Sequence, residues 1–261
     1  MRSFAVKNAS HDSGAWRSES PVHPRHKSSS AQLWPGFGCT FAVISATSRK
    51  GFTIPGAAML EPLSASKREI LDAAAECFMS LGADTASIDD IAARLGSTKG
   101  RIYHHFPSKG ALLAAVQLRA AGFTHNAVEP VADDSIPALE CLANMCRTHV
   151  YAMLDSLAYH KVILQTYTSA RPRAVSEIEK DLQAQVREGQ RAYEMLFRKQ
   201  IERGIAEGSI APRNLNVAVA GLMLILNSPV FWFRPERGAS QAFLDTIARD
   251  VTSMALASLR A

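Results

Sequence analysis

A chain of 261 residues, 47% hydrophobic, 7% aromatic and 20% charged, is long enough to bury one or two substantial cores and too apolar to be disordered throughout. Its net charge of +5 is local: residues 1–58 hold seven Lys/Arg against two Asp/Glu, and the rest hold 22 of each sign. A global basic field is thereby excluded, so any DNA affinity must come from a local cluster.

Residues 1–62 are rich in Ser, Gly, Pro and His and lack a sustained helical period, so they read as a disordered leader. Three origins stay open: a basic arm adding non-specific DNA contacts, a start codon placed too early with Met59 opening the native chain, and an export signal. The early start is preferred. The apolar run after Arg25 to Lys27 is too short and interrupted for export.

From Lys67 to Leu81, Ile70, Leu71, Ala74, Cys77, Phe78 and Leu81 share one stripe and predict a supporting helix. Ile88, Ile91, Ala92 and Leu95 then fall at i, i+3, i+4 and i+7, behind a Ser87 and Asp90 pair spaced as a capping box, and Gly96 ends that helix. After a short turn Thr98 can cap a second helix carrying Lys99, Arg101, Ile102, Tyr103, His104 and His105 up to Phe106 and Pro107. Ile102 and Phe106 would face inward. Lys99 and Arg101 would face outward with Arg94 and Lys109, and no acidic residue occurs between Ile91 and Val128. Two short helices across a glycine turn, the second basic and exposed, have the geometry that sets a recognition helix into a DNA major groove.

A linking helix is expected from Ser108 to Phe123, then a loop from Pro130 to Pro137. Helices over Ile136–Leu157, Tyr159–Thr168 and Glu177–Glu207 follow, the last capped by Ser176 with Glu179 three residues on and ended by Gly208. Its stripe would be Ile178, Leu182, Val186, Tyr193, Leu196, Phe197, Ile201 and Ile205. Asn216–Phe233 is apolar nearly all round, and Gln241–Leu259 places Phe243, Leu244, Ile247, Val251 and Met254 on one face. An all-round apolar helix needs cover on every side, so this last pair is expected to meet its copy in a two-fold four-helix interface, the competing reading being a fully internal helix. The longest apolar run, Val217 to Leu226, is too short to span a membrane.

The chain resembles the tetracycline-repressor (TetR) family of bacterial transcription regulators. The resemblance rests on Ile91-Ala92, Gly96, Gly100, Tyr103, His105-Phe106, Ser108-Lys109 and Leu112-Leu113, and spans Lys67 to Val116. Ser97 and Arg101 depart from the family pattern, which usually has an apolar and a small residue there. The resemblance implies an all-α fold of about nine helices: a three-helix helix-turn-helix domain over 63–113 and a larger effector-binding and dimerisation domain over 114–261. It also implies a homodimer that reads palindromic double-stranded operator DNA in the cytoplasm, with no cofactor and no membrane partner, and a small-molecule effector that alters the separation of the two heads.

By resemblance and by geometry, Thr98, Lys99 and Arg101 are the candidates for base edges, and Arg101 could take guanine O6 and N7 together or clamp a phosphate. Tyr103, His104, His105 and Lys109, with Ser87 and Arg94, are expected at the phosphate backbone. Adjacent histidines on a helix point about 100° apart and lack a third ligand nearby, so a metal is not expected. Cys39, Cys77, Cys141 and Cys146 form no metal or redox spacing and read as reduced thiols.

No GxSxG, HExxH, CxxC or phosphate loop after a strand occurs, so no catalytic residue is assigned and an enzyme is not expected. Met145, His149, Met153, Tyr159, Tyr167, Met195 and Trp232 are large or amphipathic residues suited to an effector cavity, each with ordinary core as its plainer role. Arg171 could hold an acidic ligand, with Arg173 beside it, or be a solvated loop residue. The stretch Asn227 to Gly238 is similar to regulators that sense acyl thioesters or lipid-derived acids. The expectation is a repressor released by an apolar or amphipathic effector, an acyl thioester or acid among the candidates. The alternative is an effector-independent, DNA-bound protein-interaction factor.

Overall fold

The computed structural model describes residues 63–168, 176–234 and 239–260; the expected leader, Met59, Cys39, Arg171 and Arg173 lie outside them, as does the side chain of Tyr167. Among the described residues the fold is all-helical. Helix α1 (Ala65–Leu81) is capped by the Ser64 hydroxyl, which accepts from the Lys67 amide, and it stops at Gly82, whose φ of 88° suits glycine. Helix α2 (Ile88–Leu95) opens on the expected capping box: Ser87 Oγ accepts from the Asp90 amide at 3.2 Å, and Asp90 Oδ2 accepts from the Ser87 amide at 2.8 Å. These bonds hold the Asp90 carboxyl below its usual range. Gly96, at φ 62°, ends α2. Thr98 stands at the N-cap of α3 (Lys99–His105), but its side chain makes no capping bond, contrary to expectation.

Helix α4 (Lys109–Val128) is capped by Ser108 and runs five residues past Phe123, where the apolar pattern had suggested an end. A single 3-10 turn (Glu129–Val131) leads to α5 (Ala138–Asp155), α6 (Leu157–Thr168) and α7 (Glu177–Ala206). The 30 residues of α7 reach roughly 45 Å at 1.5 Å per residue. Asn216–Phe233 is not one helix: α8 (Leu215–Leu226) and the single turn α9 (Pro229–Trp232) are separated at Asn227 and Ser228, because Pro229 has no amide to continue the ladder. Leu215–Trp232 taken together is apolar and long enough to cross a membrane, more than the ten-residue run suggested. In the fold Ala218, Val219, Leu222 and Leu226 from this stretch pack into a core. Helix α10 (Gln241–Ala257) closes the chain.

Two apolar cores result. The larger gathers Leu142, Met145, Met153, Phe197, Ile201, Leu222 and Val251 from α5, α7, α8 and α10. The smaller contains Ile70, Phe78, Ile91, Ile102 and Phe106, as the periodicity predicted, but also Leu112 and Val116 of α4 and Tyr159 and Val162 of α6. Helix α6 is tied to α1 by polar bonds as well: the Tyr159 hydroxyl donates to Asp72, and Gln165 Nε2 donates to the Met79 carbonyl at 3.2 Å. The head therefore shares its core with a helix nearly 50 residues beyond the expected boundary at 113. Leu81 and Ile178, expected in apolar stripes, are about half exposed.

Candidate nucleic-acid interface and ligand cavity

Burial of Ile102 and Phe106 fixes the roll of α3 and leaves Lys99, Tyr103 and His104 on the outside. The cations of this surface do not stand alone. Lys99 Nζ lies 2.8 Å from Asp89, and Arg94 Nη1 donates to Glu76 at 2.7 Å; each carboxylate holds its partner's charge more firmly. Arg101 is turned toward α1, where its guanidinium pairs with Glu69 and its Nε donates to Ser66 Oγ at 3.1 Å. An acid-free outer stripe is thus corrected: the acids arrive from α1 and from the start of α2. His105 Nε2 also lies 3.1 Å from Ser66 Oγ. Its pKa is lowered, first by desolvation and then by nearby His104, Lys67 and Arg101. Lys109 Nζ donates to the Asp84 carbonyl at 2.8 Å and so closes the α1–α2 loop onto the start of α4.

Behind the head, a cavity of about 270 Å³ runs between α4 and α7. From α4 it is lined by Gly110, Leu113, Ala114, Gln117, Ala121 and Thr124. From α7 come Glu179, Gln183, Val186, Arg187, Gln190 and Tyr193. Helix α6 adds His160, Ile163 and Leu164, while His149, Met223, Asn227 and Val230 close the inner end. Ala83 and Asp84 of the α1–α2 loop lie at the head end, so the cavity touches the three-helix unit directly.

Two features mark its ends. At the head end, buried Glu179 accepts a hydrogen bond from the Ser108 hydroxyl, and a Cβ on Gly110 would come within 2.8 Å of the carboxylate. Ser176 caps α7 through the Glu179 amide, as expected, but the Glu179 carboxylate reaches across to the cap of α4. Two positive helix ends therefore surround one buried carboxylate, which offsets its desolvation. At the inner end, His149 Nδ1 and the Tyr193 hydroxyl lie 2.6 Å apart, while His149 Nε2 has no hydrogen-bond partner among the described residues. Burial lowers the His149 pKa to about 3 and that of His160 to about 4, so both rings are neutral at physiological pH.

Of the expected effector residues that the structure describes, only His149 lines this cavity. Met145 and Met153 are sealed in the larger core, Tyr159 belongs to the head core, and Met195 and Trp232 are half exposed. Gln117, Thr124, Gln183 and Asn227 were not anticipated. Their signal was polarity at inward positions of otherwise apolar packing. Cys77, Cys141 and Cys146 are free and buried. Burial raises the Cys141 pKa and pushes the Cys146 thiol up to about 12, a setting that disfavours reactive thiolate.

Residues 70–116 match the family described as bacterial regulatory proteins, tetR family, and residues 135–259 match the tetracyclin repressor-like C-terminal domain. The HTH-type transcriptional repressor Rv1474c of Mycobacterium tuberculosis is 41% identical over 54 residues, 21% of this chain and 29% of that relative, so the match spans under a third of its length. Among solved structures, the TetR family regulator PfmR of Thermus thermophilus superposes with a TM-score of 0.61 at 24% identity, over 74% of this chain and 99% of that one. AibR, in complex with isovaleryl coenzyme A and operator DNA, superposes at 0.58 with 20% identity, over 72% and 97%. At these identities the likeness to the solved structures is one of fold.

Proposed function

The chain belongs to the tetR family of bacterial regulatory proteins, and from that premise we propose that it is a homodimeric cytoplasmic repressor, released from a palindromic operator by a small effector bound between α4 and α7. The observation that carries the effector reading is the cavity itself, whose wall includes Ala83, Asp84 and Gly110 of the DNA-reading unit. An occupant there presses on the head without any intermediary. Coupling then follows from the two states of the head binding the effector unequally. An apolar or amphipathic molecule suits the mixed lining, and acyl thioesters stand among the candidates because a fold neighbour was solved with isovaleryl coenzyme A.

Dimerisation is supported by a stripe on α8, Val217, Ala220, Gly221 and Leu224, that stays exposed, together with exposed Phe243 and Met254 on α10. Apolar surface of this extent gains by being covered, and a second copy places a second recognition helix on the same DNA. On the DNA side, Thr98, Lys99 and Arg101 are assigned to base edges, and Ser87, Arg94, Tyr103, His104, His105 and Lys109 to the backbone. Arg101 must exchange Glu69 for its DNA partner.

The test is a fluorescence-anisotropy titration of the full chain against DNA from upstream of its own gene, with unrelated DNA as competitor. Competitor-resistant binding at two subunits per site is expected. Weak binding that any DNA competes away would sink the regulator reading for that site.

A further inference from the structure

The lining of the cavity follows the two long helices for a considerable distance. Gly110 to Thr124 on α4 and Glu179 to Tyr193 on α7 each cover fifteen residues, roughly 21 Å from first to last at 1.5 Å per residue. About 270 Å³ spread over such a length is a narrow channel. Between its ends it is lined by Ala114, Ala121 and Val186 and by the side-chain amides of Gln117, Gln183 and Gln190.

Charge is distributed unevenly along it. Three carboxylates, Asp84, Glu179 and Glu194, line the channel against a single guanidinium, Arg187, which is exposed. The inner end holds the uncharged hydrogen-bonding groups of Thr124, His149, Tyr193 and Asn227, with the Glu194 carboxylate next along α7 accepting from Gln190 Nε2 at 3.2 Å. Burial keeps the His149 ring neutral there. Its Nε2 is buried and without a hydrogen-bond partner among the described residues. Buried polar atoms without partners call for a polar occupant, since leaving them dry costs more than the bond they would make. Among the described lining residues an anionic head at this end would find no cation, since burial keeps the His149 and His160 rings uncharged, and a cationic head would find Glu194 already engaged by Gln190.

Resting on the effector reading above, we propose that the channel takes an elongated, uncharged amphiphile: a slender apolar chain laid between α4 and α7, with a non-ionic hydrogen-bonding head at His149 and Tyr193. Chain length then sets how far the ligand reaches from the inner end toward Gly110, and so how hard it presses on the head.

The test uses four ten-carbon probes on the full chain: 1-decanol, decanoate, decylammonium and the compact 1-adamantanol. Calorimetric binding and release of bound upstream DNA are both measured. Decanol is expected to bind at least tenfold tighter than the other three. Tyr193→Phe, which keeps the ring, should weaken decanol roughly threefold to tenfold, the range of one neutral hydrogen bond. Ala121→Leu, which plugs the middle of the channel, should abolish its binding while circular dichroism shows both variants folded. Tighter binding of decanoate, decylammonium or adamantanol, or binding of none, overturns the proposal. If a charged or compact probe releases DNA, the effector reading survives the loss. If decanol binds as described and DNA stays bound, the assignment of the channel holds and the effector reading falls.

Discussion

Arg101 shows how a side chain can be right in type and unexpected in placement. Its position at the start of α3 is legible from Thr98 and the glycine turn, but its partner Glu69 lies 32 residues away in sequence, a pairing only the fold reveals. The same holds for Arg94 and Glu76, eighteen residues apart. These pairs are partly exposed and each is worth about 0 to 1 kcal/mol, so DNA can displace them cheaply. Glu69→Gln should therefore strengthen DNA binding a few-fold by freeing Arg101. Arg101→Ala should relax base preference, whereas Lys109→Ala should weaken all DNA alike and lower the salt slope by about one. Anisotropy titrations across four salt concentrations on matched and mutated sites separate the three outcomes; uniform loss on every sequence for Arg101→Ala would remove it from base reading.

Among the elements, the junction of α4 with α7 is the one whose chemistry is least visible in sequence. Ser176 with Glu179 has the spacing of a capping box, and half of that box forms; the carboxylate is drawn instead to Ser108 because α7 crosses the start of α4. Gly110 makes that approach possible. Gly110→Ala puts a methyl where the carboxylate lies, 2.8 Å from its Cδ. Since the far end of Glu179 can swing away, the cost should be that of one buried hydrogen bond to a charged group, about 1.5 to 3 kcal/mol. Urea titrations of Gly110→Ala, Ser108→Ala and the double variant should show strong non-additivity; additive losses would mean that the two residues do not share Glu179. Helix periodicity, by contrast, was easy to read where turn residues agreed with it: Ile88, Ile91 and Ala92 are buried as their spacing requires, whereas reading Asn216–Phe233 as one apolar stretch passed over the break that Pro229 imposes between α8 and α9.

At the scale of the molecule, two neutral histidines make stability depend on pH. His149 and His160 titrate near 3 and near 4 in the fold against an ordinary 6.5, burial being the first cause for both. The unfolded chain thus binds more protons than the native one below pH 6.5. Stability is complete above that value and falls with pH, each ring contributing up to about 1.4 kcal/mol per pH unit until its native pKa is reached. Between pH 7 and 5.5 a loss of about 2 to 3 kcal/mol is expected, before carboxylates such as Asp90 and Asp134 add theirs. His149→Gln and His160→Gln should each reduce the slope in urea titrations; an unchanged slope in both would contradict neutral burial. The cavity escaped sequence reading for a physical reason. Large, adaptable residues such as Met145 and Met153 fill space, whereas an opening arises where small residues such as Ala114 and Ala121 leave it unfilled.

The sharing of one core between the head and α6 also bears on how this protein could be rebuilt. A hybrid regulator made by joining residues 63–113 to a foreign body would cut through the packing of Leu112 and Val116 against Tyr159 and Val162, and would strand Asp72 without its phenol. The portable unit is discontinuous, comprising α1 to α4 together with α6. Grafts should succeed when the recipient's own sixth helix is recarved to carry Tyr159, Val162 and Gln165, and should misfold or lose DNA binding when only the contiguous segment is moved.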